Sequence, residues 1–294
     1  MLFQLFRLLV SPLMGRGLSK YKLLHYIYRK IGSFIFFGSR SSKIIVVEDT
    51  KFHLTKRGKG LEGVADCLLI NEEYEPCTTN TVELFITPGM TTIDIGANIG
   101  YYTLLLSKLV GEKGRVIAFE PEKSNLTDLL INVELNEARN VTVSKYAISN
   151  YIGSSRLLVS KECSGEHSLV TSRNKKMDYQ EVKVATLDSF IKGKVDFIKI
   201  DTEGNEVKVL LGAKRILNTN PHILLVVEAW PYGLVNAGSS IQELWEVLNA
   251  FGFIYKCRLD DPSCKVYPVT LPYLESKGGK NDEAINILCS RNQI

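Results

Sequence analysis

Residues 91–106 read TTIDIGANIGYYTLLL, and no other stretch constrains the chain as strongly. Residues 91–95 form a β-branched, apolar run, Gly96, Asn98 and Gly100 break it, and from 101 onward apolar residues return at helical spacing. The order is strand, tight loop, helix. Small ligands bind at such junctions, because glycine permits positive φ and close approach, and the amides that open the helix point into the same crevice. Two carboxylates frame that crevice. Asp94 sits at the mouth of the strand, and Glu120 closes the next apolar run, placed to accept hydrogen bonds from the two hydroxyls of a ribose.

The loop spacing is Gly-x-x-x-Gly, without the middle glycine of the dinucleotide fingerprint. A pyrophosphate is therefore disfavoured, and a cationic, phosphate-free nucleoside such as S-adenosylmethionine suits paired carboxylates better. Beyond the loop, strands at 91–95, 115–120 and 141–148 alternate with helices at 99–109 and 122–137, and a further strand at 195–200 ends in Asp201-Thr202-Glu203-Gly204. Alternation of this kind implies parallel strands with the ligand site beyond their carboxyl ends. Next come an apolar strand ending in Glu228, a helix at 240–251 capped by Ser239 or Ser240, a strand at 253–257, a proline-rich loop at 261–279 and a last strand at 284–289. The whole predicts an α/β three-layer sandwich on a seven-stranded, mostly parallel sheet with its final strand antiparallel.

Residues 151–191 interrupt the alternation with two strand-like runs and a polar stretch between them, expected to be a substrate loop, in which His167 with Ser168 stands out. Residues 48–90 predict a β-hairpin and a helix beginning at Pro76, with Tyr74 and Glu75 before it either facing the crevice or, for Glu75, capping the helix. The six cysteines show no metal-ligand spacing, so unpaired thiols in a reducing compartment and no metal site are expected.

Charge separates the N-terminal arm from the rest. Residues 1–47 carry eight Lys or Arg and no Asp or Glu, whereas residues 48–294 carry 28 basic against 32 acidic side chains. The arm is also apolar, but neither of its runs reaches the roughly 20 residues of a spanning helix. The expectation is a cytoplasmic protein whose arm lies at the inner face of a membrane or packs on the domain. The acidic core gives no reason to expect nucleic acid as a partner.

Six blocks in order, IDIGANIGYYTLLLS, VIAFEPEKSN, NVTVSKYAIS, VATLDSF, DFIKIDTEGNEVKVLLGA and PHILLVVE, resemble the FkbM-type S-adenosylmethionine-dependent methyltransferases over roughly residues 72–230. The resemblance implies a class I methyltransferase (Rossmann-like) fold over 91–294, strand order 3-2-1-4-5-7-6, and methyl transfer to oxygen. It implies Asp94, Gly96, Asn98 and Gly100 around the methionine part of the cofactor, Glu120 on the ribose and Ala147 near the adenine, with Tyr101 as a further cofactor-binding residue. Asp201 and Glu203 would face the transferred methyl, with His167 and Glu228 as further candidate bases; for Asp201 and Glu203, helix capping is the competing role. The implied acceptor is a hydroxyl of a glycan, a glycolipid or lipid-linked sugar, or a related small molecule. Three other functions share parts of the pattern: a nicotinamide-dependent oxidoreductase uses a similar loop, an RNA methyltransferase the same core, and a binding domain the same cofactor pocket without turnover.

Overall fold

The computed structural model describes residues 31–32, 34–56, 63–159, 178–261, 263–279 and 283–293. A hairpin of β1 (Ser42–Val47) and β2 (Thr50–Thr55) leads to α1 (Val64–Asn71) and α2 (Pro76–Phe85). The core units are β3 (Thr91–Ile95), α3 (Tyr101–Val110), β4 (Arg115–Phe119), α4 (Lys123–Leu135) and β5 (Val141–Ser144). A side sheet follows, made of β6 (Ala147–Ile148), β7 (Gly153–Val159) and β8 (Asp178–Ala185). The chain returns to the core through α5 (Leu187–Phe190), β9 (Phe197–Ile200), α6 (Glu206–Leu211), α7 (Lys214–Thr219) and β10 (Leu224–Ala229). It ends with α8 (Pro231–Asn236), α9 (Ile241–Ala250), β11 (Tyr255–Arg258), β12 (Tyr267–Pro268), α10 (Leu271–Glu275) and β13 (Ile285–Ser290).

The main sheet runs β12-β11-β13-β10-β9-β3-β4-β5, with β13 antiparallel to both its neighbours. Without β12 this is the expected order 3-2-1-4-5-7-6. The eighth strand is a correction: part of the proline-rich loop pairs with β11 through Tyr267 and Pro268. Only two residues pair there, and proline, which lacks an N–H, is tolerated at such an edge. The loop also holds α10, capped by Thr270. A second correction concerns the strand expected over 141–148. Pairing with β4 stops at Ser144, and Ala147 and Ile148 pair with β8 instead, so the chain changes sheet at Lys145-Tyr146. The cysteine expectation also fails, since Cys77 and Cys264 form a disulfide that ties the first turn of α2 to the loop after β11.

Side chains alternate across the central strands as a pleated sheet requires. Ile93, Ile95, Ile198, Ile200, Leu225 and Val227 enter one apolar layer, while Phe197, Val226 and Leu288 join the layer under α2 and α3. Polar residues occur on that second face towards the carboxyl ends of the strands: Asp94, Lys199, Glu228 and Asn286, on four adjacent strands. Three of them are almost fully enclosed, and Glu228 is partly exposed. This polar row positions the site.

Candidate active site

The loop after β3 opens a cleft of about 850 Å³, solvent at its mouth included. Gly96 has φ 84°, and its N–H and that of Ala97 donate to the Phe119 carbonyl at 2.9 and 3.0 Å. A Cβ at Gly96 would lie 1.7 Å from the carbonyl oxygen of Asp201. Glycine is required here because the loops after β3 and β9 meet backbone to backbone. Asn98 has φ 51°, and its N–H donates to Glu120 Oε2 at 2.8 Å. The second carboxylate oxygen of Glu120 accepts from the Glu122 N–H, also at 2.8 Å. Burial, opposed by these two N–H donors, pushes the Glu120 pKa up to about 8. Gly100 ends the loop at the N-cap of α3 and does not line the cleft; a Cβ there would meet the Leu129 side chain at 2.6 Å.

Asp94 lines the cleft and accepts from Thr103 Oγ1 at 2.6 Å. Its pKa is raised by burial, with Lys199 pulling the other way. Tyr101 lines the cleft beside Tyr74 and Tyr102, the three rings meeting edge to face. Ala147, with Tyr146 and Ile148, forms the wall furthest along the sheet edge, where Leu157 of the side sheet closes it. Asp201 and Glu203 line the opposite end. Among the predicted positions within the described residues, Gly100 and Glu228 do not line the cleft; His167 lies outside the described residues.

The capping alternatives resolve onto other groups. Glu206, fully buried, accepts from the Thr202 N–H and Oγ1 and the Gly204 N–H at 2.9, 2.9 and 3.1 Å. It pins the turn that carries Glu203 at φ 55° and Gly204 at φ 107°. Asp201 makes an ion pair with Lys199 at 2.7 Å. Glu75 occupies the N-cap position of α2 without capping it. Its Oε2 instead accepts from the Tyr102 hydroxyl and Asn286 Nδ2 at 2.7 and 2.8 Å.

Lys199 is the residue that sequence reasoning missed. It is 2% exposed, with Nζ 4.5 Å from the centre of the Tyr102 ring. Burial pulls its pKa down, but the carboxylates of Asp201, Glu75 and Asp94 outweigh burial and hold it above its ordinary value. One lysine in the run FIKI reads as an ordinary strand polar residue. The usable signal was register: Asp94 and Lys199 are cross-strand partners on the face α3 covers. Asn205 was also missed. Its Nδ2 donates to the Ile148 carbonyl at 2.8 Å, and its buried Oδ1 has no partner among the described residues.

These features fit a cationic nucleoside. Acidic groups surround the cleft, which favours positive charge. The apolar wall at Ala147 suits a flat base, and the unpartnered Asn205 Oδ1 beside that wall is an acceptor ready for an amino group. At the other end, one carboxylate oxygen from each of Asp201, Glu203 and Glu228 lies within 4.8 Å of the others. That spacing is also within reach of a divalent cation, which would compete with the Lys199 ammonium for Asp201.

Comparison with known proteins agrees with this chemistry. The family described as Methyltransferase FkbM domain matches residues 94–255, more than half of the chain. No curated protein matches it in sequence. Solved structures similar to it include methyltransferase FkbM from Methylobacillus flagellatus KT, at 17% identity and TM-score 0.45, over 76% of this chain and 52% of that one. Others are a SAM-dependent methyltransferase from Aquifex aeolicus, at 18% and 0.40 over 74% and 98%, and an rRNA methylase from Streptococcus thermophilus, at 10% and 0.43 over 74% and 95%. The chain thus spans about half the length of the Methylobacillus protein. The strand order, the acidic cleft and the family match lead to one statement: the chain belongs to the FkbM methyltransferase domain family and is an S-adenosylmethionine-dependent methyltransferase.

Proposed function

We propose that the enzyme methylates a hydroxyl oxygen of a sugar, carried by a glycan, a lipid-linked sugar or a related small molecule. The observation that carries this reading is the pair Asp201 and Glu203, which line the cleft together with the rings of Tyr74 and Tyr102, a carboxylate oxygen of Glu228 lying within 4.8 Å of theirs. Carboxylates accept hydrogen bonds from neutral hydroxyls and take up their protons, whereas they repel the phosphates of RNA or a dinucleotide. Aromatic faces suit the C–H faces of a sugar ring, which carry slight positive charge against the negative ring face.

S-adenosylmethionine, when bound, supplies a methyl group already activated on a sulfonium. The chain's own residues hold and orient. Asp94, Asn98 and Tyr101, with the backbone at Gly96, would surround the methionine part, with Gly100 shaping the loop from behind. Glu120 would take the ribose and Ala147 the adenine. Asp201 and Glu203 would face the acceptor hydroxyl, and holding its oxygen in line is the main catalytic task.

The test is incubation of the full chain with methyl-labelled S-adenosylmethionine and separate pools of saccharides, lipid-linked sugars and RNA. Label on a sugar oxygen is the expected result. Label in RNA, or in no pool, would overturn the proposal. A peripheral contact with an acidic membrane is the second part of this reading. It is supported by the basic excess of residues 1–47 and by exposed Ile31, Phe34, Ile44 and Val46 near Arg40 and Lys43.

A further inference from the structure

Among the described residues, every charged side chain that lines the cleft is acidic except one. Asp94, Glu120, Asp201 and Glu203 are carboxylates, and Lys199 is the single cation. It stands on β9, almost fully buried, as the cross-strand partner of Asp94 on β3. Neighbouring strands lie about 4.8 Å apart, so an ammonium and a carboxylate are set side by side on the face that α3 covers. Among the described residues no ion pair joins these two. Asp94 accepts from Thr103 Oγ1 at 2.6 Å, and Lys199 donates to Asp201 Oδ2 at 2.7 Å.

An ammonium has three N–H donors. One goes to Asp201, and the face of Tyr102, its ring centre 4.5 Å from Nζ, accommodates a second. Nζ makes no other hydrogen bond among the described residues, which leaves one donor on a buried cation that borders the cleft. A buried charged donor without its acceptor is costly. Nearby hydroxyls are already occupied: that of Tyr102 donates to Glu75, that of Tyr101 is engaged with Thr79, and that of Thr202 donates to Glu206. The acceptor missing from Lys199 is present in the cofactor. S-adenosylmethionine ends in an α-amino acid, with an ammonium and a carboxylate on one carbon, and Lys199 beside Asp94 offers the opposite charge to each.

We propose that Lys199 binds the α-carboxylate of the methionine part of S-adenosylmethionine, while Asp94 takes the α-ammonium. The assignment is independent of the acceptor, because methyl transfer leaves the carboxylate unchanged and S-adenosylhomocysteine retains it. Lys199 is thus a binding residue, felt in affinity and not in the chemical step. The competing role is purely structural, a counter-charge for Asp201, Glu75 and Asp94. The two roles separate on a ligand that lacks the carboxylate.

The test is calorimetric titration of the full chain, in chelator-containing buffer, with S-adenosylmethionine, S-adenosylhomocysteine and decarboxylated S-adenosylmethionine. Decarboxylation makes the ligand more positive by one charge, and on that ground alone an acidic cleft would bind it more tightly. The inference expects the reverse in the wild type, a preference of about 10- to 100-fold for S-adenosylmethionine. In Lys199→Met, affinity for S-adenosylmethionine and S-adenosylhomocysteine should fall by about that factor. Affinity for the decarboxylated ligand should stay within about 3-fold of wild type, which also shows that the variant is folded. A wild type that binds the two methyl donors equally, or prefers the decarboxylated one, overturns the inference. So does a Lys199→Met protein that keeps the wild-type preference, or that loses all three ligands alike while its circular dichroism spectrum is unchanged. Should the variant not fold, a crystal structure of the wild type with S-adenosylhomocysteine decides: a ligand carboxylate hydrogen-bonded to Lys199 Nζ supports the inference, and one held elsewhere overturns it.

Discussion

Glu120 is buried with a backbone N–H on each of its carboxylate oxygens, yet burial outweighs both donors and moves its pKa from 4.5 to about 8. A carboxyl with a raised folded pKa is bound to its proton more tightly in the native state than in the unfolded chain. Its contribution to stability is therefore full below about pH 4.5 and lost progressively as pH rises towards about 8. Asp94, Glu75, Glu206 and Glu228 shift in the same direction, all through burial first. The cofactor-free enzyme should therefore melt at lower temperature near about pH 8 than near about pH 5, and Glu120→Gln should flatten that dependence. A melting series across the range checks this; an unchanged slope in the variant would contradict it. At this scale the sequence was legible where a charged residue ended an apolar run, as at Asp94, Glu120 and Asp201. It was opaque at Lys199, Asn205 and Asn286, whose roles depend on which sheet face is covered and on cross-strand neighbours. A strand buried on both faces reads as continuously apolar and hides its own alternation.

The first turn of α2 connects several parts of the site. It follows Tyr74 and Glu75, its Thr78 accepts from Asn286, and Cys77 joins it to Cys264 across 187 residues of sequence. A cross-link over so long a loop restricts the unfolded chain strongly. Reduction, or Cys264→Ser, should lower unfolding free energy by about 2–4 kcal/mol. Urea unfolding with and without a thiol measures the difference; equal midpoints would contradict the prediction. The elements themselves were largely legible, because loop glycines, Pro76 and the Ser240 cap mark their ends locally. What could not be read was long-range. Cysteine pairing has no local signature at such separation, and the passage of 141–148 from one sheet to another is decided by partners.

At the scale of the whole molecule, charge divides the chain into a basic arm and an acidic core, and no helix among the described residues is long and apolar enough to cross a membrane. If the arm meets an acidic lipid surface, the full chain should sediment with phosphatidylserine-containing vesicles and not with purely phosphatidylcholine ones. Each of Lys20, Lys22, Arg29 and Lys30 replaced by Gln should weaken that binding about fivefold. Equal binding to both vesicle types, or none, would contradict the proposal. The acidic cleft is the complementary half of the same division, and it draws in a cationic cofactor. The most direct test of the account is calorimetric titration of S-adenosylmethionine, and separately NAD, into wild type and Glu120→Ala. The account predicts saturable binding of S-adenosylmethionine that weakens by about 1.5–3 kcal/mol in the variant, and no binding of NAD. Absence of binding by S-adenosylmethionine, or saturable binding of NAD in its place, would contradict it.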